Sequence, residues 1–422
     1  MKVIPISPDT GTAYGQPAGT HHADLTEVAP GTPMGELMRR YWQPIGLASH
    51  ANGLPRAVRA LGEDLVLFRD TQGRAGLVQA RCMHRGSSLL YGRVDAHGLR
   101  CCYHGWAFDV QGHCTDQPCE PDNGRARANF RQPWYPVEER YGMVFAYMGP
   151  ADKKPLLPHY DIFETIPPGE QLFTDDMNIG SGRYFDGEVP MNFLQHYENI
   201  MDYGHFLWLH FFHSGPQFGS RYGELDKLDF QPWQWLKNST VRTTEYGMLS
   251  ERVQTLPDGR QLRAVTETQL PGVRGVSNPF GLAGKIDTLG FILPVDDTHI
   301  RIFTVLRSKD DSFFKRLQSM RGNREETLAK DPQHFQKFPG DWEAQGSQGP
   351  ITLHSKENLA MSDKGVAMLR RQLKAQLDAI AQGKDPIGVA FDAEKQVVVM
   401  QAGQYLSGQA TTPAPAGTGV PA

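Results

Sequence analysis

The sequence has no long hydrophobic run and no strong excess of charge of either sign. No stretch approaches the ~20 consecutive apolar residues of a membrane-spanning helix, and the first 19 residues hold one lysine and no apolar core. We therefore expect neither a secretory signal nor a membrane partner, and we predict a cytoplasmic protein. The net charge of −4 on 422 residues also gives no reason to expect nucleic acid as a partner.

Cysteine is scarce as well. There are 5 cysteines, all between Cys82 and Cys119, and such clustering does not suggest a disulfide framework. Two short motifs pair cysteine with histidine, Cys82-Met83-His84 and Cys101-Cys102-Tyr103-His104, with 16 residues between them. The cysteines outside this pairing are expected to be small, semi-buried core residues; they are Cys102, Cys114 and Cys119.

The C-x-H-x16-C-x-x-H pattern supplies two thiolates and two imidazoles from two short loops. Cys82 and Cys101 can hold one iron of a [2Fe–2S] cluster while His84 and His104 hold the other, which is the Rieske arrangement. A structural zinc site is the alternative, but zinc motifs usually keep like ligands together, whereas each motif here mixes the two types. A glycine follows each motif within two residues, and glycine allows tight loops to approach a cluster closely.

A second group of histidines lies further along the chain, in the segment from Glu198 to His210. His205 and His210 are five residues apart, so on a regular helix they would point in different directions. Both can bind one metal only if the helix is distorted there or if one ligand comes from its end, and Gly204 is a plausible weak point. A carboxylate would complete a 2-His-1-carboxylate site, which leaves positions open on Fe(II) for O2.

The carboxylate has two candidates, Asp341 and Glu343, and their spacing alone does not choose between them. Both could also be ordinary solvated acids in a loop. For His205 and His210 the alternative is packing among neighbouring aromatic residues. The Rieske-type pattern elsewhere in the chain favours the metal site.

The length of the chain predicts two domains. Residues 1–45 are interpreted as an N-terminal arm and helix, 46–155 as a small all-β domain that carries both Cys/His motifs in loops, 156–405 as a larger domain of strands and helices, and 406–422 as a disordered tail. The alternation of apolar residues and the turn residues between them predict several strands, among them Ala57–Leu61, Leu65–Phe68, Met143–Met148 and Thr298–Leu306.

Two helices are predicted from their end signals. The first begins at Pro33, directly after Thr32. The last is capped by Ser362 and ended by Gly383 and Pro386. The apolar side chains of this last helix fall on one face; they are Val366, Leu369, Leu373, Leu377 and Ile380.

These motifs resemble those of the oxygenase (α) subunits of Rieske non-haem iron aromatic ring-hydroxylating oxygenases, in the phthalate-dioxygenase-like and aryl O-demethylase-like branch. The resemblance extends from Gly31-Thr32-Pro33-Met34 to the last helix. Besides the two Cys/His motifs, it rests on two further patterns: Asn199-x2-Asp202-x2-His205-x4-His210 and Asp341-x3-Gln345-x-Ser347-x-Gly349-Pro350-Ile351.

The resemblance implies roles for particular residues. Asp341, rather than Glu343, would be the third ligand of a mononuclear Fe(II). Asp202 would be catalytic, because in such trimers it links a Rieske histidine of one subunit, here His104, to an iron-binding histidine of the next, here His205. Asn199 would lie near the iron. The implied fold is α+β, with a small all-β Rieske domain and a larger catalytic domain of helix-grip type, and the implied assembly is a homotrimer or a dimer of trimers.

The expected activity follows from this resemblance. A terminal oxygenase would use O2 and electrons to hydroxylate or O-demethylate a small aromatic compound. The chain has no G-x-G-x-x-G after a strand and no plant-type cysteine spacing, so a separate NAD(P)H-dependent reductase is implied, with or without a ferredoxin. The alternative is a Rieske ferredoxin-type electron carrier without oxygenase chemistry.

The substrate pocket is less well defined by the sequence. Aromatic residues near His210 are candidates for its walls, or else for core packing: Trp208, Phe211, Phe212 and Phe218. Arg221 or Arg242 could bind a substrate carboxylate through paired hydrogen bonds.

Overall fold

The computed structural model describes residues 16–176, 187–213, 236–255, 259–276, 284–312, 315 and 332–408. Within these residues, a group of small sheets is followed by one large antiparallel sheet with helices packed on it. The predicted α+β fold, with a small all-β domain before a larger mixed one, is confirmed. None of the described helices combines the length and apolar character needed to cross a membrane.

The first domain contains eleven short strands in three antiparallel sheets. The sheet orders are β1-β11-β10, β2-β3-β4-β9 and β5-β6-β7-β8. The strands are β1 (Trp42–Leu47), β2 (Arg56–Ala60), β3 (Glu63–Arg69), β4 (Ala75–Gln79), β5 (Arg93–Asp95), β6 (Gly98–Arg100), β7 (Ala107–Phe108), β8 (Cys114–Asp116), β9 (Trp134–Tyr135), β10 (Val137–Arg140) and β11 (Met143–Tyr147).

The second domain is built on a large sheet in the order β13-β21-β20-β18-β17-β16-β15, with β14, β19 and β23 added at its sides. A separate parallel pair joins β12 to β22. The strands are β12 (His159–Tyr160), β13 (Gln171–Asp175), β14 (Glu188–Val189), β15 (Ser239–Thr243), β16 (Gly247–Thr255), β17 (Gln261–Gln269), β18 (Val273–Gly275), β19 (Gly284–Lys285), β20 (Thr288–Asp296), β21 (His299–Ser308), β22 (Val397–Val398) and β23 (Gly403–Ser407).

The described helices are mostly short. They are α1 (Ala23–Thr26), α2 (Pro33–Arg39), α3 (Asp161–Glu164), α4 (Phe193–Asn199), α5 (Tyr203–Leu207), a π-helix (Trp208–His213), α6 (Pro332–Lys337), α7 (Asp341–Gly346) and α8 (Lys364–Ala381). The 18 residues of α8 pack against β15, β16, α2 and α4. This long helix therefore holds the edge of the large sheet and the helix that leads into the histidine segment.

The two domains share one apolar core. Trp42, Phe145 and Phe291 belong to the same buried cluster, and the rings of Phe145 and Phe291 lie 5.9 Å apart. The backbone N–H of Leu61 also donates to the carbonyl of Pro294 at 2.9 Å. The sheet that contains β1 therefore packs directly on the large sheet, and β1 itself begins inside the segment assigned to the N-terminal arm.

The predicted strands and helix starts agree closely with the structure. In β21, Ile300 and Ile302 are buried and Arg301 faces the other side, as the alternation predicts. The side chain of Thr32 accepts a hydrogen bond from the N–H of Gly35 and caps α2. The predicted start of the tail, residue 406, falls inside β23, which pairs with β17; residues 409–422 lie outside the described residues.

The cap predicted for the last helix is wrong by one residue. Asp363, not Ser362, is the N-cap of α8, and its carboxylate accepts from the N–H of Ala360 at 2.6 Å. Ser362 instead lies in a short 3-10 turn before the helix. The C-terminal prediction holds, because Gly383 has a φ of +75° and its N–H donates to the carbonyl of Ile380 at 2.9 Å.

A buried ion pair joins α8 to the end of α4. The guanidinium of Arg370 donates to Glu198 at 2.7 Å and to Glu357 at 2.9 Å, and all three groups are mostly buried. Glu198 directly precedes Asn199 in α4. The pair therefore fixes the end of α4 against the longest helix of the domain.

Replacing Arg370 by methionine is expected to lower the free energy of unfolding by about 3–5 kcal/mol, because two buried carboxylates would lose their partner. Urea denaturation followed by circular dichroism measures this change. The matched control is Arg371→Met, because Arg371 is exposed on the same helix and a substitution there should stay within about 0.5 kcal/mol. Equal losses in the two variants would contradict a stabilising role for the ion pair.

Candidate metal centres

Both Cys/His motifs lie in turns of the same shape at one end of the first domain. The N–H of Gly86 donates to the carbonyl of Cys82 at 2.8 Å, and the N–H of Gly105 donates to the carbonyl of Cys101 at 3.1 Å. Both glycines have a φ of +74°, where a β-carbon is strained. The glycines thus close the two turns, as the sequence predicts.

The thiols point inward and the imidazoles outward. Cys82 and Cys101 are 3% and 4% exposed, whereas His84 and His104 are only partly buried. The two imidazole rings lie 4.6 Å apart, and His84 also stacks on Trp106 at 4.4 Å with an angle of 2° between the rings. The two imidazoles therefore form the outer side of the site.

The imidazole of His84 is in the protonation state that binds a metal, whereas the thiol of Cys82 has to lose its proton first. Burial, together with the neighbouring Cys101, raises the pKa of Cys82 to about 12, so a metal has to displace the proton from this thiol. Burial and the nearby His104 lower the pKa of His84, which keeps this imidazole in the neutral form that binds metals.

The arrangement of the four residues suits a binuclear cluster better than one zinc ion. A tetrahedral zinc site needs all four ligands around one ion. Among the described residues, the only group of three or more acidic, cysteine or histidine side chains close enough to hold a single ion is found elsewhere in the chain. The four residues therefore fit a [2Fe–2S] cluster, in which thiols and imidazoles bind different irons.

Gln132 supports the first turn and was not singled out from the sequence. Its side chain is fully buried, donates to the carbonyls of Gln79 and Arg81, and accepts from the N–H of Met83 at 2.8 Å. Of the remaining cysteines, only Cys114 is buried; Cys102 and Cys119 are exposed. The expectation that all three are semi-buried is therefore wrong for these two.

A change of helix type brings His205 and His210 together. Asp202 caps α5, where its Oδ1 accepts from the N–H groups of Gly204 at 2.8 Å and His205 at 3.2 Å. After Leu207 the chain continues as a π-helix, in which hydrogen bonds join residues five apart. The predicted distortion is therefore present, but it lies in the π-helix and not at Gly204, which occupies the first turn of α5.

The histidines and Asp341 form one compact group. The Oδ1 of Asp341 lies 3.3 Å from Nε2 of His210 and 3.6 Å from Nε2 of His205, and the three ligand atoms all lie within 4.8 Å of one another. Burial would raise the pKa of Asp341, but the hydrogen bond from His210 and the charge of both histidines hold it well below its usual range. Two imidazoles and one carboxylate in this arrangement fit a single divalent ion.

The structure also distinguishes Asp341 from Glu343. Asp341 is the first residue of α7, while Glu343 folds back so that its Oε2 accepts from the N–H of Gly340 at 2.9 Å. Glu343 therefore caps its own helix. Of the two candidates, only Asp341 faces the histidines.

Asn199 and Asp202 lie at the edges of the triad of His205, His210 and Asp341. The Nδ2 of Asn199 donates to Oδ1 of Asp341 at 3.4 Å. The Oδ2 of Asp202 lies 3.8 Å from Nδ1 of His205, and within the described residues this buried nitrogen has no hydrogen-bond partner. Asp202 is 28% exposed at its side chain, so it can be reached from outside the subunit.

Three further polar residues lie beside the triad; from the sequence, Gln345 was named only as part of a motif, and His196 and Arg274 were not identified. Nδ1 of His196 lies 2.9 Å from Oε1 of Gln345, and its Nε2 lies 3.1 Å from the guanidinium of Arg274. Burial and the adjacent Arg274 lower the pKa of His196 to about 3. The neutral imidazole therefore donates from Nδ1 to Gln345 and accepts from Arg274 at Nε2. His196 lies three residues before Asn199, on the same face of α4, and this spacing could have identified it.

The predicted pocket residues are only partly described. Trp208 is 60% exposed, which excludes a core position for it. Arg242 is exposed and donates to Oε1 of Gln401 at 3.1 Å. Phe218 and Arg221 lie outside the described residues, as do the side chains of Phe211 and Phe212.

Comparisons with known proteins agree with this geometry. The Rieske [2Fe-2S] domain family matches residues 41–136. The chain is 43% identical to the phenoxybenzoate dioxygenase subunit alpha of Ectopseudomonas oleovorans, over 96% of this chain and 97% of the relative. It is 35% identical to the tert-butanol monooxygenase / tert-amyl alcohol desaturase oxygenase subunit of Aquincola tertiaricarbonis, over 89% and 81% of the two chains.

A solved structure supports the fold. The NdmA QL mutant of Pseudomonas putida CBB5 with caffeine superimposes with a TM-score of 0.56 at 18% identity, covering 83% of this chain and 94% of that one. The fold and the two donor sets define a Rieske-type oxygenase. The chain belongs to the family of terminal oxygenase (α) subunits of the multicomponent Rieske non-haem iron oxygenases.

Membership of this family establishes the class of the protein. It is an oxidoreductase that uses O2, and it is not an electron carrier of the ferredoxin type, which was the alternative. The family carries a Rieske [2Fe–2S] cluster and a mononuclear non-haem iron. It works with reductase or ferredoxin partners on small, mostly aromatic molecules.

Proposed function

We propose that the chain oxidises an aromatic substrate beside an iron held by His205, His210 and Asp341. A Rieske cluster is held by four other residues, Cys82, His84, Cys101 and His104. The observation that supports this most strongly is the π-helix, which brings two histidines five residues apart to one carboxylate. Three protein ligands leave other positions of an iron free.

The cofactors supply the electron transfer and the activation of O2, and the residues of this chain position them. Asp341 provides the one negative charge of the triad. Asn199 donates to Oδ1 of Asp341 and limits the rotation of that carboxylate. Asp202 caps α5 and places its second oxygen 3.8 Å from Nδ1 of His205, where its negative charge favours the tautomer that carries the proton on Nδ1 and leaves Nε2 free for the metal.

The proposed assembly is supported by the exposure of these groups. His104 is partly exposed on the first domain, and Asp202 is partly exposed beside the triad. We propose that the two meet across a subunit interface, in a homotrimer or a dimer of trimers. A separate NAD(P)H-dependent reductase supplies the electrons, because the chain has no dinucleotide-binding motif after a strand.

The substrate is an aromatic compound of the size of a phenoxybenzoate, and the reaction is hydroxylation of its ring. The support is the 43% identity to a phenoxybenzoate dioxygenase subunit along almost the whole chain. The 35% identity to a tert-butanol monooxygenase subunit shows that related chains also act on aliphatic alcohols. The test therefore has to include both kinds of compound.

The proposed function is tested by metal analysis and by O2 uptake on the same preparation. We expect about three irons and two acid-labile sulfides per chain, because a Rieske cluster holds two of each and the triad holds one iron. With a reductase present, O2 uptake should be stimulated by a phenoxybenzoate, and product analysis with 18O2 should find oxygen in the ring. A methoxyarene and tert-butanol complete the panel, since release of formaldehyde would indicate demethylation.

Two results would contradict the proposal. A content of only two irons per chain would mean that the triad holds no mononuclear iron. Full metal content with O2 uptake stimulated by tert-butanol alone would contradict an aromatic substrate.

A further inference from the structure

Arg274 places a guanidinium on the large sheet beside the triad. It lies in the short strand β18, where its backbone is opposite Thr268 of β17 and Gly290 of β20. Its side chain lies across Gly290, because a β-carbon at that position would come within 2.4 Å of Nε of Arg274. The absence of a side chain at residue 290 therefore leaves the space that the arginine occupies.

Among the described residues Arg274 has no acidic partner, in contrast to three other largely buried arginines. Arg370 binds two glutamates, Arg39 binds Glu63, and Arg100 binds two aspartates. Within the described part of the chain, no carboxylate lies within ion-pair distance of Arg274, and its one hydrogen bond is to Nε2 of His196 at 3.1 Å. Arg274 is half-buried, and a cation that loses part of its hydration without gaining a counter-charge is costly.

The nearest source of negative charge is already engaged. Burial lowers the pKa of Arg274 and the charge of Asp341 partly offsets this, but Oδ1 of Asp341 faces His205 and His210 and accepts from Asn199. Its charge is therefore directed at the metal site. His196 cannot supply the missing charge, because it is neutral when it accepts a hydrogen bond at Nε2.

The contacts of Arg274 place it at the same site as the triad. His196 joins it to Gln345 in α7, the helix that begins with Asp341. His196 also stacks on Trp342, with 5.3 Å between the rings. The guanidinium is thus held on one side by a rigid neutral ring, and its remaining N–H groups are available to a ligand.

We propose that Arg274 binds the carboxylate of an aromatic acid substrate. The proposal rests on the proposed function, since it makes an aromatic acid the substrate of that same site. The substrate carboxylate supplies the counter-charge that the described residues do not provide, and paired N–H donors of a guanidinium fit the two oxygens of a carboxylate. With its acid group at Arg274, the substrate is oriented relative to the triad by a charged contact.

The test compares a phenoxybenzoate with its carboxamide, which has the same rings and no charge. Isothermal titration calorimetry on the metal-loaded protein measures binding without turnover, and reductase-coupled O2 uptake gives KM and kcat. Arg274→Gln keeps a donor for Nε2 of His196. It is expected to weaken binding of the acid and to raise its KM by about 10- to 100-fold, while the carboxamide changes little.

Two further variants make the test specific. Arg263→Gln is the matched control, because Arg263 lies in the same sheet with its guanidinium paired to Glu251 at 2.7 Å, and it should bind the acid as the unchanged protein does. Arg274→Lys keeps the charge but loses the paired donors, so its loss should be smaller than that of Arg274→Gln. It also provides a result if the glutamine variant does not fold.

The outcomes separate this proposal from the one on which it rests. Unchanged affinity for the acid in Arg274→Gln, or equal losses for acid and carboxamide, would overturn the role of Arg274. The role of Arg274 would also be refuted if the protein without substitutions oxidised the carboxamide but neither bound nor oxidised the acid. In that case the proposed function would still stand. Binding of the acid that depends on Arg274, with no O2 uptake on any aromatic compound, would instead contradict the proposed function.

Discussion

An Asp202→Asn variant is expected to fold and to keep both metal centres, yet to lose about 10- to 100-fold in turnover, the range typical for groups that orient metal ligands. Folding should be unaffected because asparagine caps helices about as well as aspartate. Its Oδ1 can still accept from the N–H groups of Gly204 and His205, as that of Asp202 does.

The expected loss of turnover comes from replacing Oδ2 of Asp202 by an NH2 group. In the protein Oδ2 lies 3.8 Å from Nδ1 of His205, so in the variant an NH2 group would face the N–H of the imidazole. Two donors then oppose each other, and the negative charge between the proposed partner groups, His104 and His205, is gone. Asp202 would no longer fix the orientation of the ring.

Three measurements check this expectation. Iron and sulfide content should match those of the unchanged protein, the thermal midpoint should not move, and reductase-coupled turnover should fall. Asp202→Ala is the comparison, because it also removes the helix cap and should lower the stability by about 1 kcal/mol. Turnover in Asp202→Asn equal to that of the unchanged protein, or a loss that only follows lost iron, would refute the linking role.

The features that the sequence predicts well are local ones. The turn glycines at residues 86 and 105 adopt the positive φ that their position after each Cys/His motif indicates. The cap at Thr32 and the alternation around Arg301 are likewise set by residues within a few positions. Each of these features depends on a short stretch of chain, so a single sequence contains enough information to place it.

The errors and omissions arise where distant segments meet. For two histidines five residues apart to bind one metal, the helix has to be distorted or one ligand has to come from its end, but the sequence does not say that a π-turn after Leu207 accomplishes this. Arg274 approaches His196, 78 residues away, only because β18 inserts between β17 and β20. Glu198 and Arg370 are 172 residues apart, and no local pattern connects them.

The choice between Asp341 and Glu343 shows the same limit at a single site. Two acids two residues apart on one short helix have equal claims by spacing. The structure separates them because the carboxylate of Glu343 is occupied by the N–H of Gly340, whereas that of Asp341 faces two imidazoles. The two carboxylates differ in the direction in which their side chains point, and a pattern of residue types does not contain this information.

The matched pair Asp341→Asn and Glu343→Gln tests experimentally which of the two carboxylates binds the iron. Asp341→Asn is expected to lose the mononuclear iron and all turnover, because two neutral imidazoles and an amide provide no anionic ligand. Iron should fall from about three to two per chain, while sulfide and the visible spectrum of the cluster stay unchanged. Both substitutions remove one carboxylate charge from α7, so a general effect of charge on the helix would appear in both.

Glu343→Gln should retain its iron and its turnover, because a glutamine oxygen can accept from the N–H of Gly340 as Glu343 does at 2.9 Å. Loss of iron in Glu343→Gln with retention in Asp341→Asn would exchange the two assignments. Loss in both would mean that the start of α7, rather than one carboxylate, determines iron binding. An unchanged spectrum shows that the domain with the cluster is folded, and an unchanged thermal midpoint shows the same for the domain that contains α7. A missing iron then reports on the ligand itself.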